Sequence, residues 1–347
     1  MRCAIFALAA FVGLTVAAPV SDLEVRANIC RSQSYHDYGS YTKPCSTYTA
    51  ALTCPNGIQK KSNGIVLLVH GTGSTGAETW ANGPYVSLLP DEGFDVCYVD
   101  LPSRALVDIQ LSAEYVAYLI HNLAPQSATK KVGVVTHSQG GPLAQWVFDF
   151  WPATRDLTST FVAIAPDFRG TIEGVAVCTV LQLALGGCNP SVFQQSSGSL
   201  WLDALNAKGN VALVPTTSIY TAYDDVIQPE LITPTSRLSG ATVVRVQDKC
   251  SSAYLMEHFG IPFASYPYYL ALNALKNQAA ADVQSVETTA CGWILDDYLL
   301  ERFDRGPTIL KEVVSDALAV ILGPKVKKEP ALKSYVCKRG DMASGCA

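Results

Sequence analysis

The chain has 347 residues, of which 49% are hydrophobic and 16% are charged. This composition is typical of a well-buried globular enzyme and excludes a disordered or fibrous protein. The formal net charge is −5, and the only basic cluster is Lys325-Val-Lys-Lys328. We therefore expect no nucleic-acid partner, because such partners require a basic surface.

Residues 1–18 contain an early arginine, a short apolar core and small residues at the end, which is the pattern of a secretory signal peptide. Arg26 would close a short propeptide over residues 19–26. The remaining 27–347 are predicted to form one domain, because no Gly/Ser-rich or Pro-rich linker divides them. No later apolar run reaches the roughly 18 residues of a membrane span. We expect a secreted, extracellular monomer without stable membrane insertion.

Strand and helix patterns alternate along the domain. A continuous apolar run predicts a buried strand at 65–69, and a second strand is predicted at 95–99. Apolar residues at helical spacing predict a helix from Ser112, as its N-cap, to Leu123. Further strands are predicted at 132–136, 161–165, 214–220 and 242–246, and helices at 139–150 and 308–322. The alternation predicts a mainly parallel sheet covered by helices on both faces. Residues 171–205 break the alternation and are predicted to form a small cap.

The strand at 132–136 runs into Thr136-His-Ser-Gln-Gly-Gly141, which holds one serine and a glycine pair before a helix. This order is typical of a nucleophile elbow, a strained turn whose glycines allow close approach of neighbouring backbone. Thr136 stands where the usual pattern, Gly-x-Ser-x-Gly, has its first glycine. Ser138 is therefore the candidate nucleophile of an acyl-transfer enzyme.

A serine nucleophile needs a base and an acid, which follow it in the order acid and then histidine in folds with such an elbow. His258 is the only histidine after Ser138 and is the candidate base. Two adjacent acids, Asp224 and Asp225, follow a late predicted strand. We favour Asp224 and keep Asp225 as the alternative. His137 adjoins the serine but should point away from it, so we expect it to line the pocket.

The glycine-rich loop at 71–76 allows two interpretations. It matches Gly-x-Gly-x-x-Gly after a buried strand, and Asp100 ends the next strand, so a dinucleotide-dependent oxidoreductase is an alternative. That alternative leaves the serine elbow unexplained. In an acyl-transfer enzyme the loop instead helps to form an oxyanion hole, for which we predict the backbone N–H groups of Thr72 and Gln139 as donors. We predict no cofactor and no metal.

Of the 11 cysteines, Cys3 would leave with the signal peptide. The remaining even number is typical of a disulfide-bonded protein from an oxidising compartment. Connectivity is not fixed by the sequence. The close pairs are Cys30–Cys45, Cys178–Cys188 and Cys337–Cys346, and sequence order would join Cys54 to Cys97 and Cys250 to Cys291.

Three motifs together resemble a known family: 67–76, 136–141 and Tyr223-Asp-Asp-Val-Ile-Gln-Pro229. They are similar to those of the Candida antarctica lipase B-like family of fungal secreted lipases, in the α/β-hydrolase superfamily. That family has a Thr-x-Ser-x-Gly elbow, so Thr136 supports the resemblance. The resemblance implies an α/β-hydrolase fold, the same triad and oxyanion donors, and hydrolysis of acylglycerols or other carboxylic esters.

The resemblance also implies the residues of the substrate pocket. Asp167 and Gln195 match polar residues on its acyl side, and the last helix would border its entrance with Val313, Ala317 and Val320. It supports the pairs Cys54–Cys97 and Cys250–Cys291.

The sequence departs from the family at several positions. His137 replaces a tryptophan that floors the alcohol pocket, so we expect a different preference for alcohol size and enantiomer. Lys328 replaces a cysteine, which leaves Cys337 to pair with Cys346. The additional pair Cys178–Cys188 would restrain the cap and weaken interfacial activation. We predict a secreted lipase-type serine ester hydrolase, with an esterase for short or bulky soluble esters as the alternative.

Overall fold

The computed structural model describes residues 30, 36–252, 254–291 and 306–340. The predicted signal peptide, 1–18, and propeptide, 19–26, lie outside the described residues. Within the described ranges, no helix combines the length and the apolar character needed to cross a membrane.

In the described part of the chain, seven strands form one sheet in the order β1-β3-β2-β4-β5-β6-β7. The first strand pairs with β3 in antiparallel fashion, and all other neighbours are parallel. The mainly parallel sheet predicted from the sequence is therefore confirmed. The strands are β1 (Leu52–Thr53), β2 (Ile65–Val69), β3 (Asp95–Val99), β4 (Val132–His137), β5 (Thr158–Ile164), β6 (Thr216–Tyr220) and β7 (Thr242–Arg245).

Helices cover both faces of this sheet, with single helical turns between some of them. In chain order they are α1 (Cys45–Ala50), α2 (Pro84–Leu88), α3 (Ile109–Leu123), α4 (Gly140–Phe150), α5 (Ala153–Asp156), α6 (Ile172–Leu185), α7 (Pro190–Gln195), α8 (Leu200–Asn206), α9 (Val246–Cys250), α10 (Ser265–Asn277), α11 (Gly306–Leu322) and α12 (Ser334–Lys338). Helices α6, α7 and α8 account for most of the predicted cap.

The hydrophobic core lies in two layers, one on each face of the sheet. Alternate residues of a strand point to opposite faces, so Leu67 joins a core with α3 and α4, whereas Leu68 joins a second core with α10. Every residue of β2, β3, β4 and β6 is buried. This two-sided burial explains the continuous apolar runs in the sequence.

The predicted start of α3 at Ser112 is wrong by one turn. The helix begins at Ile109, and the Asp108 side chain accepts a hydrogen bond from the Gln110 N–H at 3.0 Å. Ser112 is fully buried inside the helix. Asp is as favourable an N-cap as Ser, and the buried apolar stripe extends back to Ile109. The other predicted elements differ from the structure only by a few residues at their ends.

Four of the predicted disulfides are bonded in the structure. Cys54–Cys97 ties the segment after β1 to β3, and Cys178–Cys188 closes a loop in the cap. The other two are Cys30–Cys45 and Cys250–Cys291. The fifth predicted pair, Cys337–Cys346, includes Cys346, which lies outside the described residues.

Candidate active site

Ser138 occupies the sharp turn between β4 and α4. Its backbone has a φ of +54°, a left-handed conformation that is uncommon outside glycine and typical of strained functional turns. A Cβ on Gly140 would lie 2.9 Å from the Val69 carbonyl oxygen, and one on Gly141 would lie 2.5 Å from the Pro166 side chain. Both glycines are therefore required for the turn to pack against its neighbours.

The structure brings the three predicted catalytic side chains into one hydrogen-bonded chain. His258 Nε2 lies 3.0 Å from Ser138 Oγ, and its Nδ1 lies 2.9 Å from Asp224 Oδ2. All three side chains are buried. The other Asp224 oxygen accepts from the backbone N–H groups of Val226 and Ile227 at 2.9 and 2.6 Å. Because a carboxylate only accepts, the histidine proton lies on Nδ1 and Nε2 is free to act as a base.

Asp225, the alternative acid, has a different contact. Its carboxylate is exposed and accepts the backbone N–H of His258 at 3.2 Å. It therefore touches the main chain of His258, whereas Asp224 touches the imidazole ring.

The electrostatic surroundings favour a charged His258. Burial by itself would lower the pKa of His258, but the charge and hydrogen bond of Asp224, aided by the charges of Asp225 and Glu257, raise this pKa above its ordinary value of 6.5. An imidazolium formed when the ring takes a proton from Ser138 is therefore stabilised where it arises.

The glycine-rich loop lies directly against the serine. A Cβ on Gly71 would be 2.7 Å from the Ser138 Cβ, so this position requires glycine. Thr72 bonds through its hydroxyl to Gln139 Oε1 at 3.0 Å, and Gln195 Nε2 donates to the same hydroxyl at 2.8 Å. The backbone N–H groups of Thr72 and Gln139 have no acceptor within the described ranges, so both are free donors beside the nucleophile.

His70 anchors this loop, a role that the sequence analysis missed. Its Nε2 accepts from the Leu101 N–H at 2.9 Å, so its Nδ1 carries the proton and donates to the Gly71 carbonyl at 2.8 Å. Burial lowers the pKa of His70 to about 4, which keeps it neutral. The available signal was a histidine at the end of a buried strand, directly before the glycines.

Asp100 does not lie as a ribose-binding acid would. Its carboxylate accepts the Gly76 N–H of the same loop at 2.8 Å and so closes the loop on itself. Gly71 packs on Ser138, Gly73 on Asp316 and Gly76 on the Val99 carbonyl. Close packing therefore explains these glycines without a dinucleotide.

A cavity of about 540 Å³ opens above Ser138 and His258, and its walls are predominantly apolar. Helices α6 and α11 both contribute residues to these walls. Five of the six predicted pocket residues line it: His137, Gln195, Val313, Ala317 and Val320.

The sixth, Asp167, does not line the cavity. Its carboxyl group is fully buried, and neither oxygen has a partner in the described part of the chain. Burial raises its pKa to about 7. The correspondence implied by the family resemblance therefore identified a buried polar residue that is not part of the cavity lining.

A charged cluster fastens α11 to the glycine-rich loop, and no local sequence pattern predicted it. Arg104 bonds to Glu78, to Ser315 at 3.0 Å and to Asp316 at 3.3 Å. The same guanidinium donates to the Gly73 carbonyl. Burial, with the nearby Glu78 charge, raises the pKa of Asp316 to about 7.

Comparison with known proteins agrees with this geometry. Residues 66–271 match the Alpha/beta hydrolase family. Lipase B from Pseudozyma antarctica is 31% identical over 302 residues, which cover 85% of this chain and 86% of that lipase. The crystal structure of Aspergillus fumigatus lipase B has a TM-score of 0.77 at 28% identity, covering 89% of this chain and 75% of that one.

A more distant structure shares the fold alone: Bacillus licheniformis lipase BlEst2 in its mature form has a TM-score of 0.51 at 12% identity, covering 65% of this chain and 97% of that one. The fold and the site define an alpha/beta hydrolase. The chain belongs to the alpha/beta hydrolase family and, within it, to the lipase B group of carboxylic ester hydrolases.

Proposed function

We propose that this protein is a secreted lipase-type serine hydrolase that cleaves acylglycerols or related carboxylic esters through an acyl-enzyme. The observation that carries the proposal is the hydrogen-bonded chain from Ser138 through His258 to Asp224 at the floor of an apolar cavity. The order of these contacts is the one that activates a serine hydroxyl.

In the first step, Ser138 Oγ attacks the ester carbonyl carbon while His258 Nε2 takes its proton. Asp224 holds the Nδ1–H and stabilises the resulting imidazolium. The carbonyl oxygen becomes negatively charged and accepts hydrogen bonds from the Thr72 and Gln139 N–H groups. Each such donor contributes about 2.7–4 kcal/mol to transition-state stabilisation.

In the second step, the tetrahedral intermediate collapses, the bond to the alcohol oxygen breaks, and the His258 imidazolium gives its proton to the leaving alcohol. Water then enters, loses a proton to His258 and attacks the acyl carbon. Collapse of this second intermediate releases the acid, and the proton returns to Ser138 Oγ.

The mouth of the cavity supports a lipid-like substrate. Apolar side chains of α6 and α11 that line it remain exposed, among them Val180 at 62% and Ile321 at 48%. Leu183, one helical turn after Val180, is 85% exposed. An apolar patch of this kind marks a surface that contacts an apolar partner. Because Cys178–Cys188 ties the middle of α6 to the segment just before α7, we propose a restrained entrance with weak interfacial activation.

Secretion is supported by two observations. Disulfides persist mainly in oxidising compartments, and the described residues contain four. The pattern of residues 1–18 is that of a signal peptide. Amino-terminal sequencing of the protein recovered from culture medium checks both 1–18 and the propeptide over 19–26.

The direct test is hydrolysis of p-nitrophenyl esters from acetate to palmitate by the wild type and by Ser138→Ala. We expect the variant to lose about 10⁵- to 10⁶-fold in kcat, because the nucleophile is removed. Ser87→Ala, which removes a hydroxyl outside the cavity, is the matched control. Ser138→Ala activity equal to that of the wild type would overturn the proposal. The profile distinguishes a lipase, active on long chains, from an esterase restricted to short ones.

A further inference from the structure

The residue before the nucleophile, His137, lies in the active site with no role in the mechanism above. Its side chain lines the cavity and is nearly buried. The ring centroid lies 4.7 Å from that of His258, with an angle of 36° between the ring planes. The cavity therefore has a second imidazole packed against the base.

The contacts of His137 fix which of its nitrogens carries a proton. Its Nε2 lies 2.9 Å from the backbone carbonyl oxygen of His258. A carbonyl oxygen only accepts hydrogen bonds, so Nε2 must carry the proton and donate it. In the neutral ring, Nδ1 then presents a lone pair and acts as an acceptor.

The His137 ring remains neutral under the conditions in which the enzyme would work. Burial lowers the pKa of His137 well below its ordinary value of 6.5, and the charge of a protonated His258 lowers this pKa further. His70 adds a smaller effect in the same direction. The hydrogen bond to the His258 carbonyl raises this pKa, but burial is the largest cause and the net shift is downward.

The Nδ1 acceptor faces the cavity without a partner. No donor within the described ranges bonds to it, and it is not among the unpartnered polar atoms that are sealed from solvent. Glu173, another residue of the cavity lining, is exposed to solvent, whereas several other polar side chains there are already paired. These pairs are Gln195 with Thr72, Asp316 with Arg104, and Ser74 with Thr79.

The position of His137 places this acceptor on the side where the alcohol leaves. His258 Nε2 must reach the departing alcohol oxygen to protonate it, and His137 packs against that ring. Gln195, by contrast, bonds to Thr72 on the side of the oxyanion donors. The alcohol portion of a bound ester therefore lies next to His137.

We propose that His137 Nδ1 accepts a hydrogen bond from a free hydroxyl on the alcohol portion of the ester, so that the enzyme selects esters of polyols, such as partial acylglycerols, over esters of simple alkanols. This inference rests on the proposed ester hydrolysis and names its substrate class. A hydroxyl that enters the cavity loses water and needs a replacement partner. A methyl group in its place leaves Nδ1 desolvated and unpaired, which discriminates against the alkanol ester.

The test compares 2-hydroxyethyl butanoate with propyl butanoate, which differ only in a hydroxyl in place of a methyl group. Both esters form the same butanoyl-enzyme, so the ratio of their kcat/KM values reports on the alcohol side alone. We expect the wild type to favour the hydroxyl ester by about three- to tenfold, the value of one net hydrogen bond.

Two substitutions assign the preference to His137. His137→Phe keeps a planar ring without nitrogen and should reduce the ratio to about one, whereas His137→Gln retains both a donor and an acceptor and should restore part of it. Each ratio is measured within one variant, so a general loss of activity cancels.

The outcomes separate the two proposals. A wild-type ratio near one, or an unchanged ratio in His137→Phe, overturns the role of His137 while ester hydrolysis stands. If the wild type hydrolyses neither ester nor any p-nitrophenyl ester, the proposed function itself fails. If His137→Phe does not fold, the wild-type butanoyl-enzyme is instead allowed to transfer its acyl group to ethylene glycol or 1-propanol, and the two ester products are quantified. Equal amounts of the two esters would count against the inference.

Discussion

The floor of the cavity, around Ser138 and His258, and the mouth, between α6 and α11, differ in how their residues are held. At the floor, the catalytic side chains and His70, which anchors the loop, are buried and hydrogen-bonded at about 3 Å. At the mouth, apolar side chains are exposed, and the walls are fastened at a few points, Cys178–Cys188 and the Arg104 cluster. Substitutions at the floor should therefore affect every ester, and those at the mouth should affect mainly aggregated substrates.

The largest expected contrast within the floor is between its two adjacent acids. Asp224→Asn should reduce kcat by about 10⁴-fold, because the amide no longer holds the correct histidine tautomer or stabilises the imidazolium. Asp225→Asn should cost only a few-fold, because an amide oxygen can still accept the His258 N–H. Steady-state kinetics on p-nitrophenyl butyrate measures both. Equal losses of kcat in the two variants would mean that contact with the imidazole ring does not give Asp224 a different role from Asp225.

Replacing a glycine by alanine, which adds one methyl group, should reduce activity more at the floor than at the mouth. Gly71→Ala would force the loop away from Ser138 and displace the Thr72 N–H, so kcat/KM should fall by about 100-fold, as for a lost oxyanion donor. Gly186→Ala, at the end of α6, has no atom within 4 Å of its new Cβ but a φ of +74°. It should cost about 1 kcal/mol of stability and leave kcat/KM unchanged. Thermal unfolding alongside kinetics separates the effects, and a Gly71→Ala enzyme with full activity would contradict the tight packing.

Charge at the mouth should act selectively on aggregated substrate. Leu183→Glu puts a carboxylate on the exposed rim of α6, outside the cavity lining, and should reduce the rate on emulsified tributyrin by about tenfold through weaker contact with the apolar surface. The rate on soluble p-nitrophenyl acetate should stay unchanged.

Val211→Glu is the matched control for this change. Val211 is 44% exposed and precedes the amino end of β6, whereas Ser138 follows the carboxyl end of the parallel strand β4. Equal losses on emulsion for Leu183→Glu and Val211→Glu would mean that the rim of α6 is not a substrate-contacting surface.

The smallest expected effect is a shift in the pH dependence. His258 must be neutral to take the serine proton, so kcat/KM should fall as the pH drops through the pKa of His258, which lies above 6.5. Because the Asp225 charge helps to raise that pKa, Asp225→Asn should move the acid limb to lower pH. Profiles of kcat/KM measured at constant ionic strength test this. An acid limb centred below 6.5 in the wild type would show that the neighbouring carboxylates do not outweigh burial.

The sequence by itself determined the local elements of the fold and the order of the catalytic residues along the chain. Apolar runs such as 65–69 and 132–136 defined buried strands, because burial on both faces leaves no alternating pattern. The glycines after Ser138 predicted a tight turn, since they permit backbone approaches that a Cβ forbids. Chain order in this class of fold restricted the base to His258. The predicted helix start at Ser112 was wrong, because Asp108 offers a cap of equal quality one turn earlier.

Only the tertiary structure decided the contacts between residues distant in the chain. Asp224 and Asp225 are neighbours with identical side chains, and packing alone sends one to the imidazole and the other to the backbone of His258. The proton position on His137 likewise depends on a carbonyl 121 residues away. Such contacts arise from the geometry of the whole sheet and its connections, because the direction of a side chain and the identity of its partner are not encoded in local sequence pattern.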